Sequence, residues 1–159
     1  MTNQMNRLLR TIALAAAGLV LALSLTAGQA HAATSFVKLR NQATGTKLLT
    51  KDPSGLASMK SAGTANQIWK KIDTNSGYAT YSIGTGCLTG RGLQGAPVVT
   101  IERCVAGATR QEWRKGVSGD LQLRLNGLVA EVNTATAANQ VRMAFFTVKP
   151  NQRWTILPA

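Results

Sequence analysis

Histidine is almost missing from this 159-residue chain: His31 is the only one, and it stands in an N-terminal segment that reads as removable. Its absence from the rest excludes Ser-His-Asp and Cys-His nucleophiles and a histidine-based zinc site. Acids are scarce too. Asp52, Asp73, Glu102, Glu112, Asp120 and Glu131 are all there are, scattered without a distinctive carboxylate pair for glycoside hydrolysis. No glycine-rich phosphate loop links a strand to a helix. Helical periodicity is absent from residues 33–159. The expectation is a chain that is not an enzyme and needs no cofactor or metal.

Only one long apolar run occurs. Met1–Arg10 carries Arg7 and Arg10 without an acid, Thr11–Leu25 is apolar, and Ala30-His31-Ala32 places small residues where a signal peptidase reads. A basic start, a short apolar core and such an end describe a secretory signal. The run falls short of the roughly 20 residues a bilayer needs. Residues 1–32 are therefore expected to be cleaved, and 33–159 to be one secreted, extracellular domain, a monomer with no membrane insertion. Arg7 and Arg10 leave with the signal, so 16 basic residues face 6 acids, a balance of +10. Cysteine is limited to Cys87 and Cys104, and export places the pair where a disulfide is favoured over free thiols.

What the chain does have is a repeat. All three tryptophans share one frame, Gln67-Ile68-Trp69, Gln111-Glu112-Trp113 and Gln152-Arg153-Trp154, with the glutamines 44 and 41 residues apart. Repeats of about this length signal a modular fold. Each unit opens with an alternating stretch (Phe36–Arg40, Tyr78–Ile83, Leu121–Leu125) that reads as a half-buried strand. A turn glycine and an apolar pair follow: Gly45 then Leu48-Leu49, Gly86 then Cys87-Leu88, Gly127 then Leu128-Val129. A further alternation, Val99-x-Ile101 or Val141-x-Met143, precedes the Gln-x-Trp. The expected fold is all-β, with about four short strands in each of the units 35–74, 75–117 and 118–159. Three such units can share a core that none buries alone. A buried indole needs an acceptor for its N–H, and a glutamine amide can tie strands where a ladder bends. Gln67, Trp69, Gln111, Trp113, Gln152 and Trp154 are therefore read as core architecture.

These three Gln-x-Trp frames, with "FVKLRNQATGTKLL" and "YSIGTGCLTG", resemble the ricin B-type lectin family over Phe36–Leu157. The resemblance implies a β-trefoil, with Cys87 and Cys104 paired as the within-repeat disulfide of that family. It further implies up to one shallow sugar pocket per repeat. Such a pocket combines an acid just after the first apolar pair, an aromatic platform, and an asparagine before the glutamine. A carboxylate accepts from sugar hydroxyls, while a ring stacks on the apolar sugar face. The middle repeat has Thr89, Glu102 and Arg110 at these places, and its pocket is read as lost. The first keeps Asn66 and has Asp52 two residues late, which leaves a possible weak site. The third keeps most: Glu131, Asn151, and Phe145 or Phe146 as platform. The sequence leaves open whether both phenylalanines are instead core and Glu131 a solvated acid.

The positive charge favours anions. Lys70-Lys71 and Arg114-Lys115 follow two of the tryptophans at equivalent places, and are candidates for an anion-binding surface. The leading expectation is a secreted carbohydrate-binding module with glycan partners. The alternative is a degenerate trefoil that binds another protein, as an inhibitor or toxin-complex subunit, or binds anionic cell-surface polymers through its basic face. Nucleic acid is not the expected partner, since the basic residues are dispersed and no nucleic-acid motif is visible.

Overall fold

Alternation of apolar and polar residues, broken every few positions by Gly, Asn, Ser or Thr, yields short strands throughout. The computed structural model describes residues 32–74, 76–93 and 97–159; apart from Ala32, the expected signal lies outside the described residues. The first unit contains β1 Thr34–Asn41, β2 Leu48–Lys51, β3 Ala57–Lys60 and β4 Trp69–Asp73. The second contains β5 Ala79–Ile83, β6 Gly86–Thr89, β7 Thr100–Arg103 and β8 Trp113–Lys115. The third contains β9 Leu121–Leu123, β10 Val129–Val132, β11 Val141–Ala144 and β12 Trp154–Pro158. Single 3₁₀ turns at Gln42–Thr44, Thr109–Gln111 and Pro150–Gln152 are the helical elements among the described residues.

Strand pairing sorts these twelve into two layers. β1 pairs β4, β4 pairs β5, β5 pairs β8 and β8 pairs β9. The bridge Asp120↔Arg153 joins the start of β9 to the approach to β12, and β12 returns to β1. That circuit is a closed six-stranded barrel, which leaves it without an open edge. The other six strands form the hairpins β2–β3, β6–β7 and β10–β11. Bridges Leu56↔Thr100, Ser58↔Gln140 and Val98↔Arg142 connect every hairpin to the other two. A barrel capped by a triplet of hairpins, with one four-strand unit per third, is a β-trefoil.

One apolar core fills it, with Leu39, Leu49, Met59, Tyr81, Leu88, Leu123, Val132 and Met143 packed around Trp69, Trp113 and Trp154. The three indoles occupy matching environments. Trp69 Nε1 donates to the Leu49 carbonyl (3.1 Å), Trp113 Nε1 to Leu88 (2.9 Å) and Trp154 Nε1 to Ala130 (2.9 Å). Burial without those acceptors would cost about 1–3 kcal/mol per N–H.

Two local expectations are corrected. Gly86 opens β6 and is not the turn glycine; Gly84, at φ 58°, supplies the left-handed residue. The third opening strand stops at Leu123 and not Leu125, because the Gly127 N–H closes onto the Leu123 carbonyl and turns the chain. Cys87 and Cys104 are joined by a disulfide beside the β6–β7 hairpin.

Candidate functional site

The glutamine of each frame sets the geometry around it. Gln67 Nε2 donates to Thr50 Oγ1 (3.1 Å) and Gln111 Nε2 to Thr89 Oγ1 (3.1 Å). In the third unit the same donor meets a carboxylate, Glu131 Oε2, at 2.8 Å. Glu131 thus stands where the other units place a threonine. Its cross-strand neighbour differs in the same way. Thr50 faces Ser58 and Thr89 faces Thr100, whereas Glu131 faces Arg142. The core positions Val141 and Met143 flank Arg142, so strand alternation turns its guanidinium outward.

Arg142 Nε and Nη2 both donate to Glu131 Oε1, at 2.9 and 2.6 Å. The Glu131 side chain is 8% exposed and the Arg142 side chain 45%. Three donors therefore occupy a nearly buried acid, and the positive group is the one that water and ligands reach. Gln152 Nε2 also donates to the Phe145 carbonyl at 2.8 Å, which holds the β11 exit beside the ion pair. Asn151 Nδ2 donates to the Val132 carbonyl at 3.1 Å, next to Glu131 in the chain. Phe145 and Phe146 are 69% and 42% exposed, so the core alternative for these rings does not hold. Val148, two residues on, has φ 62°, a left-handed conformation that costs a β-branched residue energy. Glu131, Phe145 and Asn151 converge around Gln152, with Phe146 adjoining in sequence. Arg142 was missed from sequence; its signal was the Val141-x-Met143 alternation, which names a partner for Glu131 only once the hairpin register is known.

The other repeats are built differently. Asp52 Oδ1 accepts from Ser54 Oγ (2.6 Å) and the Leu56 N–H (2.9 Å), which commits it to its own turn. Asn66 lines a cleft of about 480 Å³ with Lys38, Thr64 and Ile68, and Asp52 is not on that wall. Asp52 and Asn66 thus have different surroundings, the first its own turn and the second the cleft wall. In the middle repeat Glu102 accepts from Arg91 (2.8 Å) and Thr100 (3.0 Å), and Arg110 lies 3.7 Å away. Burial alone raises the Glu102 carboxyl, but the Arg91 and Thr100 hydrogen bonds and the Arg91 and Arg110 charges outweigh it, so the net shift is downward.

The four candidate anion-binding residues do not act as two equivalent pairs. Lys71 forms an ion pair with Asp73. Arg114 lies over the Tyr78 ring (5.3 Å) and donates to Gln122. Lys70 and Lys115 remain exposed. Among the described residues no group of three metal-ligating side chains comes together.

The sequence matches no family model and no curated protein. Solved structures do match. A designed threefold-symmetric protein, ThreeFoil, superposes with a TM-score of 0.68 at 21% identity, covering 78% of this chain and 99% of that one. A mosquitocidal holotoxin matches with a TM-score of 0.70 at 16% identity, over 80% of this chain but 17% of the toxin. A non-toxic homologue of type II RIPs from bitter gourd (Momordica charantia), solved with α-methyl-D-galactoside, matches with a TM-score of 0.61 at 16% identity, over 78% of this chain and 48% of its own. The chain thus spans less than half of the two natural proteins. At these identities the likeness is one of architecture: this chain is a β-trefoil, built like the designed threefold protein along nearly that protein's whole length.

Proposed function

We propose that the chain is a secreted, non-catalytic carbohydrate-binding module of the ricin B lectin kind, and that it holds sugar at the outer face of its third repeat. The observation that carries this reading is the convergence of Arg142, Asn151 and the exposed Phe145 around Gln152, in the one repeat that keeps an acid. An exposed ring beside hydrogen-bonding groups suits a sugar, which has an apolar face and a polar edge. Glu131 then acts as the anchor of Arg142, and hydroxyl contacts fall to the guanidinium and to Asn151. The galactoside on the bitter gourd protein lends support from a shared fold.

A glycan array at about 0.15 M salt tests it, using the mature protein and the double variant Phe145→Ala/Phe146→Ala. Both rings are exposed, so the variant should fold. The expected result is binding to defined glycans that weakens about tenfold or more, equivalent to ~1.4 kcal/mol. Absence of glycan binding, or binding unchanged in the variant, overturns the proposal. The competing reading, in which the same apolar loop docks another protein and the sugar sites have decayed, predicts an empty array.

A further inference from the structure

A second site stands where the two ends of the domain meet. The end of β1, the turn before β9 and the start of β12 enclose a cleft of about 620 Å³, lined by Arg40, Gln42, Thr46, Ser118, Arg153 and Thr155 among others. Its walls are fixed by backbone. Arg40 pairs with Thr155 across β1–β12, the Gln42 N–H donates to the Arg153 carbonyl (2.9 Å), and the Trp154 N–H donates to the Gly119 carbonyl (2.7 Å). Glu131, Arg142, Phe145, Phe146 and Asn151 do not line it.

The arginines of this cleft form no ion pair among the described residues, and Asp120, across the strand bridge from Arg153, does not reach it within 4 Å. Four arginines and a lysine elsewhere are spent on carboxylates. Among the described residues, neither Arg40 nor Arg153 has such a partner, and no acid lines the cleft. Arg153 Nε is buried and donates to nothing. The Arg153 side chain also lines the cleft, and an incoming oxyanion would gain a charge-assisted bond from the guanidinium. The Thr46, Ser118 and Thr155 hydroxyls and the Gln42 amide add neutral donors suited to an anionic group carried on a sugar.

We infer that this seam is a binding site for the oxyanion of an acidic polysaccharide, a sulfate or a carboxylate, with Arg40 and Arg153 as its cationic arms. The cleft is within the size range of small-ligand sites, and its position on the barrel wall leaves an extended polymer free to continue past it.

The test measures binding of heparin (sulfated), polygalacturonate (carboxylated) and dextran (neutral) at about 0.15 M salt. Wild type is compared with Arg40→Glu, with the equal charge reversal Lys60→Glu at the exposed last residue of β3, and with Phe145→Ala/Phe146→Ala. Melting temperatures check that each variant folds. Wild type should bind one or both charged polymers but not dextran, and the stronger of the two identifies the oxyanion. Arg40→Glu should weaken binding about tenfold more than Lys60→Glu, the worth of one charge-assisted hydrogen bond, and the Phe variant should bind like wild type. The Arg153 Nε–H resonance should shift on titration with sodium sulfate. Equal loss in Arg40→Glu and Lys60→Glu would mean diffuse charge and would overturn the inference. So would loss in the Phe variant, an unmoved Arg153 signal, or binding of neither charged polymer. Since the sugar-site residues do not line the seam, failure here leaves the proposed sugar site standing, and the reverse.

Discussion

At the scale of single residues, the third repeat replaces a neutral pair by an ion pair. Thr50/Ser58 and Thr89/Thr100 are small hydroxyl pairs; Glu131/Arg142 fills the same register with charge. Arg142→Thr alone should destabilise the fold by about 1–3 kcal/mol, because a nearly buried carboxylate loses two donors and keeps only the Gln152 amide. Glu131→Thr together with Arg142→Thr should restore most of that loss, since it copies the middle repeat. Urea unfolding of the two variants checks this, and a double variant less stable than Arg142→Thr would contradict it. The acid position was legible in the sequence as "LVAEV". Its occupancy was not, because Arg142 is eleven residues away and only hairpin register brings it opposite. Asp52 shows the same dependence on neighbours: a short acid in a turn hydrogen-bonds its own backbone.

Among elements, the opening barrel strands β1, β5 and β9 were read most fully, with the hairpin strands β7 and β11, while the closing barrel strands β4, β8 and β12 were marked only by their tryptophans. Burial on one face imposes the period of two, and the closing strand of each third begins with a tryptophan. The first strand of each hairpin was harder, because β2, β6 and β10 are buried on nearly every residue and lose their alternation. Turn chemistry shifted Gly86 into a strand, the left-handed position having gone to Gly84. Of the three hairpins, β6–β7 alone among the described residues is stapled, by Cys87–Cys104 across 17 residues. Closing a loop of that length restricts the unfolded chain by roughly 3 kcal/mol. Cys87→Ala/Cys104→Ala should therefore lower unfolding stability by about 2–4 kcal/mol while the fold persists. A change below about 1 kcal/mol would place the stabilisation in the barrel instead.

For the molecule as a whole, threefold architecture and threefold chemistry have separated. The indoles repeat their bonds in all three units and each glutamine Nε2 donates to the side chain at one matching position, but the surfaces above them do not repeat: a capped turn in the first, an ion cluster at Glu102 in the second, and an exposed aromatic pair after β11 in the third. The repeat announced the fold because every unit must satisfy the same core. It could not announce the site, since each outer loop answers only to its own neighbours. Two ligand surfaces on one small barrel, an aromatic one and a cationic one, would respond differently to salt: ion screening weakens the second far more than the first.

The central claim is that the tryptophans build the barrel while sugar meets the outside of the third repeat. Two-dimensional NMR of the labelled mature protein, titrated with a glycan that the array selects, tests it most directly. Shifts should gather on Arg142, Phe145, Phe146 and Asn151, with the three indole N–H signals unmoved. Movement of those indole signals, or a shift map centred on another repeat, would contradict it.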